Sequence, residues 1–448
     1  MTTGRPPLRH SWVSSDRPVA RLVARPLREF MHTEAAGGIL LLVATLVALA
    51  WANSPVRDSY EELWTIEIGV RIGDFDLTED LRHWVNDGLM TIFFFVVGLE
   101  IKRELVAGEL NEPRRAAFPA LAALGGMVVP ALIYAIVNAG GAGEAGWAIP
   151  MATDIAFAVG VLSLMGRRSP DSLRTFLLSL AIVDDIGAIL VIAFFYSAGI
   201  ELGWLGAGLF LVAVIIFMRE RQLWWIPLYV VVGVALWFAT LQSGVHATIA
   251  GVALGLLTPA RPADPEGAGD AVAEASALMR EPEPAGIRRL TMQAQEAVSM
   301  AERLEHILHP WTSYAVIPIF ALANAGVSLS RDSLASAFSS PVTLGIVAGL
   351  VGGKLLGVTG FSWAAARIGI ASLPRDVNRR HVVGAGAIAG IGFTVSLFIA
   401  GLAFDDMQLV DEAKIGILLG STIAALLGVS ALIGEPNQTK DRDVDINP

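Results

Sequence analysis

The chain has no cysteine among its 448 residues. Disulfides, thiolate metal sites and cysteine redox chemistry are therefore excluded. Charge is scarce as well. Asp, Glu, Lys and Arg together make up 17% of the residues, against roughly 25% in soluble domains. The net charge of -10 leaves no global basic face for nucleic acid. A cleavable signal is missing: Arg5, Arg9, Arg17, Arg21, Arg25 and Arg28 are scattered with no apolar run between them, which reads as a cytosolic arm. What the sequence has instead is apolar bulk, 54% hydrophobic residues and a mean hydropathy of +0.59. A soluble chain would need several cores to hide it. Lipid contact is the simpler account, and the fold class expected is an all-α polytopic membrane protein.

A spanning helix needs about 20 mostly apolar residues. Twelve candidate spans follow: 36–53, 84–101, 116–138, 147–165, 173–198, 202–218, 224–241, 244–258, 311–329, 341–366, 382–404 and 413–433. The gaps between them alternate in charge. Basic gaps carry Lys102, Arg103, Arg114 and Arg115, then Arg167, Arg168 and Arg174, then Arg219 and Arg221, then Arg367, Arg375, Arg379 and Arg380. The intervening gaps are acidic or nearly uncharged. Positive charge collects in cytoplasmic loops, so both termini are expected in the cytoplasm. The domains expected are an arm over 1–35, spans one to eight over 36–258, a linker with an amphipathic helix over 259–310, spans nine to twelve over 311–433, and a tail over 434–448. Within the linker, 261–286 is rich in Ala, Glu, Pro and Gly and reads as flexible. Residues 287–308 place Ile287, Leu290, Ala294, Val298, Ala301, Leu304 and Leu308 on one helical face. Residues 64–78 alternate Ile66, Ile68, Val70 and Ile72 with polar residues before Gly73-Asp74. That pattern predicts a β-hairpin, on the periplasmic side by the charge alternation. A lone hairpin is marginal, and a second subunit is the obvious partner.

Four ionisable residues fall well inside these spans: Asp154, Asp184, Asp185 and Lys354. Each costs about 2.5–3.5 kcal/mol at the centre of a spanning helix. A structural ion pair accounts for one acid and the lysine but not for three acids and one base. Asp154 follows Pro150 and Thr153 in a short span, and proline breaks the helix. In the eleventh span Gly390 and Gly392 interrupt the run before Thr394. Broken backbone at membrane depth is tolerated around a cavity or within protein. The two breaks lie in the middle of spans three to five and ten to twelve. The offset of seven spans is odd, so the two triplets enter the membrane from opposite sides. That predicts inverted repeats with an ion site where two broken helices cross. Asp154 is expected to balance one set of exposed helix ends and Lys354 the other. Asp184 and Asp185 point about 100° apart on a helix: one is expected to bind the ion, and the other to pair with Lys354 or relay protons. A carboxylate site that holds a proton near neutral pH exchanges it for a hard cation such as Na+, with the Thr153 hydroxyl and freed carbonyls completing the shell.

The motifs A-T-D-I-A-F at 152–157, I-V-D-D-I-G-A at 182–188, V-G-L-E-I-K-R-E at 97–104, S-G-V-H-A-T at 243–248, A-N-A-G-V at 323–327 and G-I-G-F-T at 390–394 together resemble the NhaA-type Na+/H+ antiporters. They run in the family's order from about residue 35 to 433. The resemblance implies twelve spans in a bacterial inner membrane, a homodimer joined partly by the hairpin, and electrogenic exchange activated at alkaline pH. It implies Asp184 and Asp185 as the Na+- and proton-binding pair, with Asp154 and Thr153 at the helix crossing. Lys354 matches the lysine of the tenth span, assigned to charge compensation or to a salt bridge with the first aspartate of the pair. Glu100, Arg103 and Glu104 match a cluster linked to pH response, and Glu305, His306 and His309 its other half; His246 and Asp87 match further positions of interest. No cofactor is implied. The family's Gly-Lys-Pro-Leu-Gly reads Gly353-Lys354-Leu355-Leu356-Gly357 here, and the N-terminal arm and the linker exceed the family's pattern.

Three other functions compete. An intramembrane aspartyl protease also has aspartates on two spans, but none of those aspartates lies in the Gly-x-Gly-Asp motif expected of it. A passive cation channel leaves the proton-competent acids without a role. A symporter of another solute calls for aromatic or amide groups at the crossing, which offers mainly small residues.

Overall fold

The computed structural model describes residues 36–433, except 73–74, 167–169, 198, 224, 263–268, 270–273, 277, 279–282 and 371–375. The expected arm, tail and Gly73-Asp74 turn, most of the 261–286 linker, and Arg167, Arg168 and Arg375 lie outside these residues.

The chain is a helical membrane protein. In order, α1 (Ala36–Ala52) and α2 (Arg57–Trp64) precede a hairpin of β1 (Glu67–Ile72) and β2 (Phe75–Asp80). A wide helical turn over Trp84–Leu89 leads into α3 (Met90–Val106), followed by α4 (Pro113–Val137). A 3-10 stretch over Glu144–Met151 precedes α5 (Ile155–Met165); α6 (Asp171–Phe195), α7 (Leu202–Glu220), α8 (Ile226–Gln242) and α9 (Thr248–Leu257) follow. The second half comprises α10 (Pro284–Glu296), α11 (Met300–Trp311), α12 (Ile317–Asn324), α13 (Arg331–Ser339), α14 (Pro341–Val347), α15 (Lys354–Ile368), α16 (Arg379–Ile388), α17 (Phe393–Ala403) and α18 (Met407–Ile433).

Among the described residues six helical segments are long and apolar enough to cross a membrane, and up to eight if each of two bent pairs counts as one. Several other expected spans are apolar helices too short for that test, such as the 17-residue α8 and the 10-residue α9. The α1–α2 pair turns by 116°, so α2 does not prolong α1. Tyr60 on α2 is buried, and its hydroxyl donates to the Leu322 carbonyl at 2.8 Å.

The hairpin forms where the alternation placed it, antiparallel and paired from Glu67–Asp80 to Ile72–Phe75. The Trp84 indole donates to the Ile68 carbonyl at 2.7 Å and ties it to the bundle. Ile66 and Ile68 stay exposed.

The single amphipathic helix expected over 287–308 is corrected: α10 ends at Glu296, and Ser299 starts α11 by accepting from the Glu302 N–H at 3.2 Å. A serine satisfies free N–H groups better at a helix start than inside a helix. Only the second piece is packed, with Met300, Ala301 and Glu305 buried, whereas Ile287 and Val298 are exposed.

The end of the molecule that carries the hairpin is called here the hairpin end, and the opposite end, where α3 finishes and α4 starts among arginines, the basic end. Helices α4 and α15 pack through glycines. A methyl group on Gly357 would overlap the Gly125 carbonyl, and one on Gly125 the Gly357 carbonyl. Small residues let helix backbones approach closely where no hydrophobic drive exists within lipid. The expected result of Gly357→Leu is a sharp loss of folded protein, since overpacking costs about 1–3 kcal/mol or more. Gly360→Leu, three residues along the same helix with open space around it, is expected to fold normally. Comparing the melting midpoints of the two purified variants checks this.

Candidate functional site

Two interruptions build the site. On one side, residues 152–154 run extended after the 3-10 stretch, and Asp154 caps α5, its Oδ1 accepting from the Phe157 N–H at 3.0 Å. On the other, α16 stops before 389–392 and α17 starts at Phe393, the two helices bending by 43°. Pro150 lies inside the 3-10 stretch and the extended residues follow two positions later. A side chain at Gly390 would strike the Leu350 carbonyl, and one at Gly392 the Ser396 hydroxyl. Glycine is required there for close approach.

Reciprocal hydrogen bonds join the two breaks. The Asp154 N–H donates to the Ile391 carbonyl at 2.6 Å. The Thr153 hydroxyl lies 2.9 Å from the Ala389 carbonyl. The Thr394 N–H and hydroxyl both donate to Asp154 Oδ2, at 3.0 and 2.7 Å, and the Ser396 hydroxyl donates to the Ile149 carbonyl at 2.7 Å. The Ile149, Ala389 and Ile391 carbonyls and the Asp154 and Thr394 N–H groups so find partners across the crossing, as burial demands. Asp154 thereby sits at the start of both α5 and α17, where helix dipoles favour negative charge. Of the roles expected for Lys354, the pairing with the first aspartate is the one the geometry displays: Lys354 forms a fully buried ion pair with Asp184, and its ammonium also donates to the Thr153 hydroxyl at 3.0 Å. The Thr153 Oγ1 is also 2.7 Å from Asp184 Oδ2. One hydroxyl proton serves one acceptor at a time, so Thr153 chooses between Asp184 and Ala389. Asp184 Oδ1 is buried with no hydrogen-bond partner among the described residues.

The two adjacent aspartates diverge as helical geometry requires. Asp184 turns to Lys354. Asp185 lines a cavity of about 450 Å³ together with Thr153, Asp154 and Thr394. The cavity extends to the basic end, where Glu100, Arg103, Glu104, Glu305 and His309 line its wall. Arg103 is ion-paired with Glu305 and lies 3.5 Å from Glu104. A carboxylate at the end of such a path can hold a proton or a hard cation, with hydroxyl oxygens at hand. The helix carrying Lys354 continues unbroken through Leu355, where the resembled family has proline.

Not every candidate converges. His306 is exposed and does not line the cavity. Asp87 is paired with His83 at 2.9 Å, outside the cavity wall. His246 Nε2 lies 2.7 Å from the Tyr196 carbonyl just beyond α6, at the hairpin end and away from the other pH-response candidates. Sequence reasoning missed Thr394 and Ser396 as partners. The signal was there, two hydroxyls in the first turn after a glycine break.

Partial burial, with Arg103 behind it, holds the His309 imidazole below its ordinary value. Burial raises Glu305, with Arg103 opposing the rise. As pH falls through the ordinary histidine range, the unfolded chain takes up a proton that folded His309 resists, so this group's contribution to stability declines. Glu305 works in the opposite sense at lower pH. The melting temperature of wild type is therefore expected to fall further than that of His309→Gln between about pH 7.5 and about pH 5.5, the range over which histidine titrates. Scanning calorimetry or dye-monitored melting at both pH values checks it.

The profile of the family described as Na+/H+ antiporter 1 matches residues 28–432. A relative from Frankia alni named Na(+)/H(+) antiporter NhaA 3 is 47% identical over 412 residues, covering 92% of this chain and 89% of its own. One from Oleidesulfovibrio alaskensis, named Na(+)/H(+) antiporter NhaA, is 47% identical over 428 residues, 93% of this chain and 95% of its own. Its namesake from Yersinia enterocolitica is 46% identical over 411 residues, 91% and 96%.

Proposed function

The chain belongs to the Na+/H+ antiporter 1 family, and from that premise we propose that it exchanges Na+, or Li+, for protons through the cavity that ends at Asp185. It is a transporter rather than an enzyme. The observation that carries the proposal is the separation of the aspartate pair: Asp184 is neutralised by Lys354, while Asp185 faces the cavity. Na+ entering by the basic end meets the Asp185 carboxylate and the Thr153 hydroxyl. Oxygen ligands of this kind suit hard cations. Proton and cation compete for the same carboxylates, and one repeat moves against the other around the fixed crossing. When more than one carboxyl group is protonated for each Na+ released, net charge moves with each cycle, and exchange is electrogenic.

The finer reading belongs to the same proposal. The chain sits in a bacterial inner membrane with both termini cytoplasmic, the twelve spans include two inverted repeats, and two copies associate through the hairpin, whose Ile66 and Ile68 are exposed. Glu100, Arg103, Glu104, Glu305 and His309 at the cavity mouth tune entry with pH, which makes the exchanger active at alkaline pH and suited to sodium and pH homeostasis. The test is purified protein in liposomes with an entrapped pH dye and an imposed proton gradient. Added Na+ or Li+ is expected to dissipate the gradient, and K+ is not. No cation-dependent proton movement at any pH from mildly acidic to alkaline overturns the proposal.

A further inference from the structure

A second cavity, of about 440 Å³, opens between α15 and α16 at the basic end. Thr359, Ser362, Trp363, Arg367, Arg379 and Val383 contribute to its wall. Ser362 is 1% exposed, and among the described residues its hydroxyl has no hydrogen-bond partner; the Thr359 hydroxyl is likewise buried and unpartnered among them. Unsatisfied buried hydroxyls are uncommon and call for an explanation. Above them stand two guanidinium groups. Arg367 lies over the Trp363 ring, 5.1 Å from its centre, and neither Arg367 nor Arg379 has a carboxylate partner among the described residues.

We infer that this cavity binds the headgroup of an anionic glycerophospholipid. Two arginines with no carboxylate partner among the described residues match a phosphodiester, which accepts several hydrogen bonds and carries the charge they lack. The rest of the described wall is apolar, and Leu356, Ile368 and Ile370 on the same stretch of chain are exposed at 65%, 72% and 55%. That surface suits acyl chains and does nothing for a free anion. The depth is consistent. Lys354 lies midway along the segment Pro341–Ile368, and Arg367 is 13 residues further on (367 minus 354), about 20 Å along a helix at 1.5 Å per residue. Half of the hydrocarbon layer is about 15 Å, so Arg367 reaches the headgroup layer, with Trp363 at the interface where tryptophan concentrates. Basic pockets between spanning helices are a recognised mode of anionic lipid binding. The occupant would bridge the helix that starts at Lys354 to the helix that ends just before Ala389, the two elements that meet Thr153.

Lipid binding at this cavity is measured without reference to transport. Full-length protein, delipidated in mild detergent, is titrated separately with dioleoyl phosphatidylglycerol and dioleoyl phosphatidylcholine, then with inorganic phosphate as competitor. Adducts are followed by native mass spectrometry. The first phosphatidylglycerol adduct is expected to form well below the concentration that phosphatidylcholine needs and to survive excess phosphate. Arg367→Gln/Arg379→Gln is expected to weaken it by roughly 30-fold, two cationic contacts at the strength typical of anionic lipid surfaces. Arg367→Lys/Arg379→Lys is expected to keep most of it, so a fold defect in the glutamine variant is distinguishable. Equal binding of the two lipids, displacement by phosphate, or an unchanged first adduct in a folded glutamine variant overturns the inference.

Discussion

Replacing Asp185 by asparagine is expected to reduce Na+-driven proton movement in liposomes to the leak of protein-free vesicles, with the melting temperature unchanged or raised. Asparagine keeps the shape and hydrogen-bonding reach of aspartate and removes its ability to alternate between a proton and a cation. Asp185 lines the cavity, and no side-chain partner among the described residues is deprived of a bond by the change. An ionisable group within the bilayer is itself a cost, about 2.5–3.5 kcal/mol on insertion scales, so neutralising it has no structural penalty. The adjacent residue gives the contrast. Asp184→Asn leaves Lys354 buried without its counter-charge and should destabilise the fold. Two isosteric changes one residue apart are thus expected to act on different properties. Retained exchange in Asp185→Asn, or a matching loss of stability in both variants, contradicts the assignment of Asp185 as the carrier and Asp184 as the paired acid.

What could be read from the chain follows the size of the physical effect each residue exerts. A charge at membrane depth costs enough that Asp154, Asp184, Asp185 and Lys354 stand out one by one. Pro150, Gly390 and Gly392 show in the same way, because broken backbone inside a bilayer needs a reason. Pairing showed only through the resemblance, as one of two roles for Lys354, and not in the residues themselves. Asp184 and Lys354 are separated by 170 residues, and nothing local says which of two adjacent acids meets the lysine. Nor did the double use of Asp154, whose second set of donors comes from Thr394, 240 residues away. Helix ends were legible only where their polar residues stand alone. The last helix was expected from residue 413, but it starts at Met407. The reason is that Glu412 is buried and satisfied by Ser340, Ser336 and Gln408 at 2.5, 3.0 and 3.1 Å. Helix α16, expected as part of the eleventh span from residue 382, starts at Arg379, because Asn378 caps it by accepting from the His381 N–H at 2.9 Å. His246 shares the resemblance with the pH-response cluster, yet a motif carries no record of which end of the bundle it occupies.

The second large effect concerns the ion pair itself. Lys354→Met keeps most of the side-chain volume and leaves Asp184 facing an apolar surface. Removing one partner of a buried pair costs about 3–5 kcal/mol, while replacing both by neutral groups of similar size is often neutral or stabilising. The single variant is therefore expected to melt well below wild type, and Asp184→Asn/Lys354→Met to recover most of the loss. Thr153 sharpens the expectation. Its hydroxyl accepts from Lys354 and has two acceptors for one proton, Asp184 Oδ2 at 2.7 Å and the Ala389 carbonyl at 2.9 Å. Without the ammonium it remains the only hydrogen-bond donor to Asp184 among the described residues, and its bond to Ala389 is given up to keep that carboxylate satisfied. The crossing of the two broken helices then loses a tie, so the damage from Lys354→Met reaches α16 as well as α6. In the double variant Thr153 is free to hold Ala389, and the crossing is restored. Hydrogen exchange at the start of α17 and beyond α16 reads this directly: protection lost in the single variant and regained in the double. Failure of the double to recover either melting temperature or protection means that the Lys354–Asp184 pair is not what holds the crossing in place.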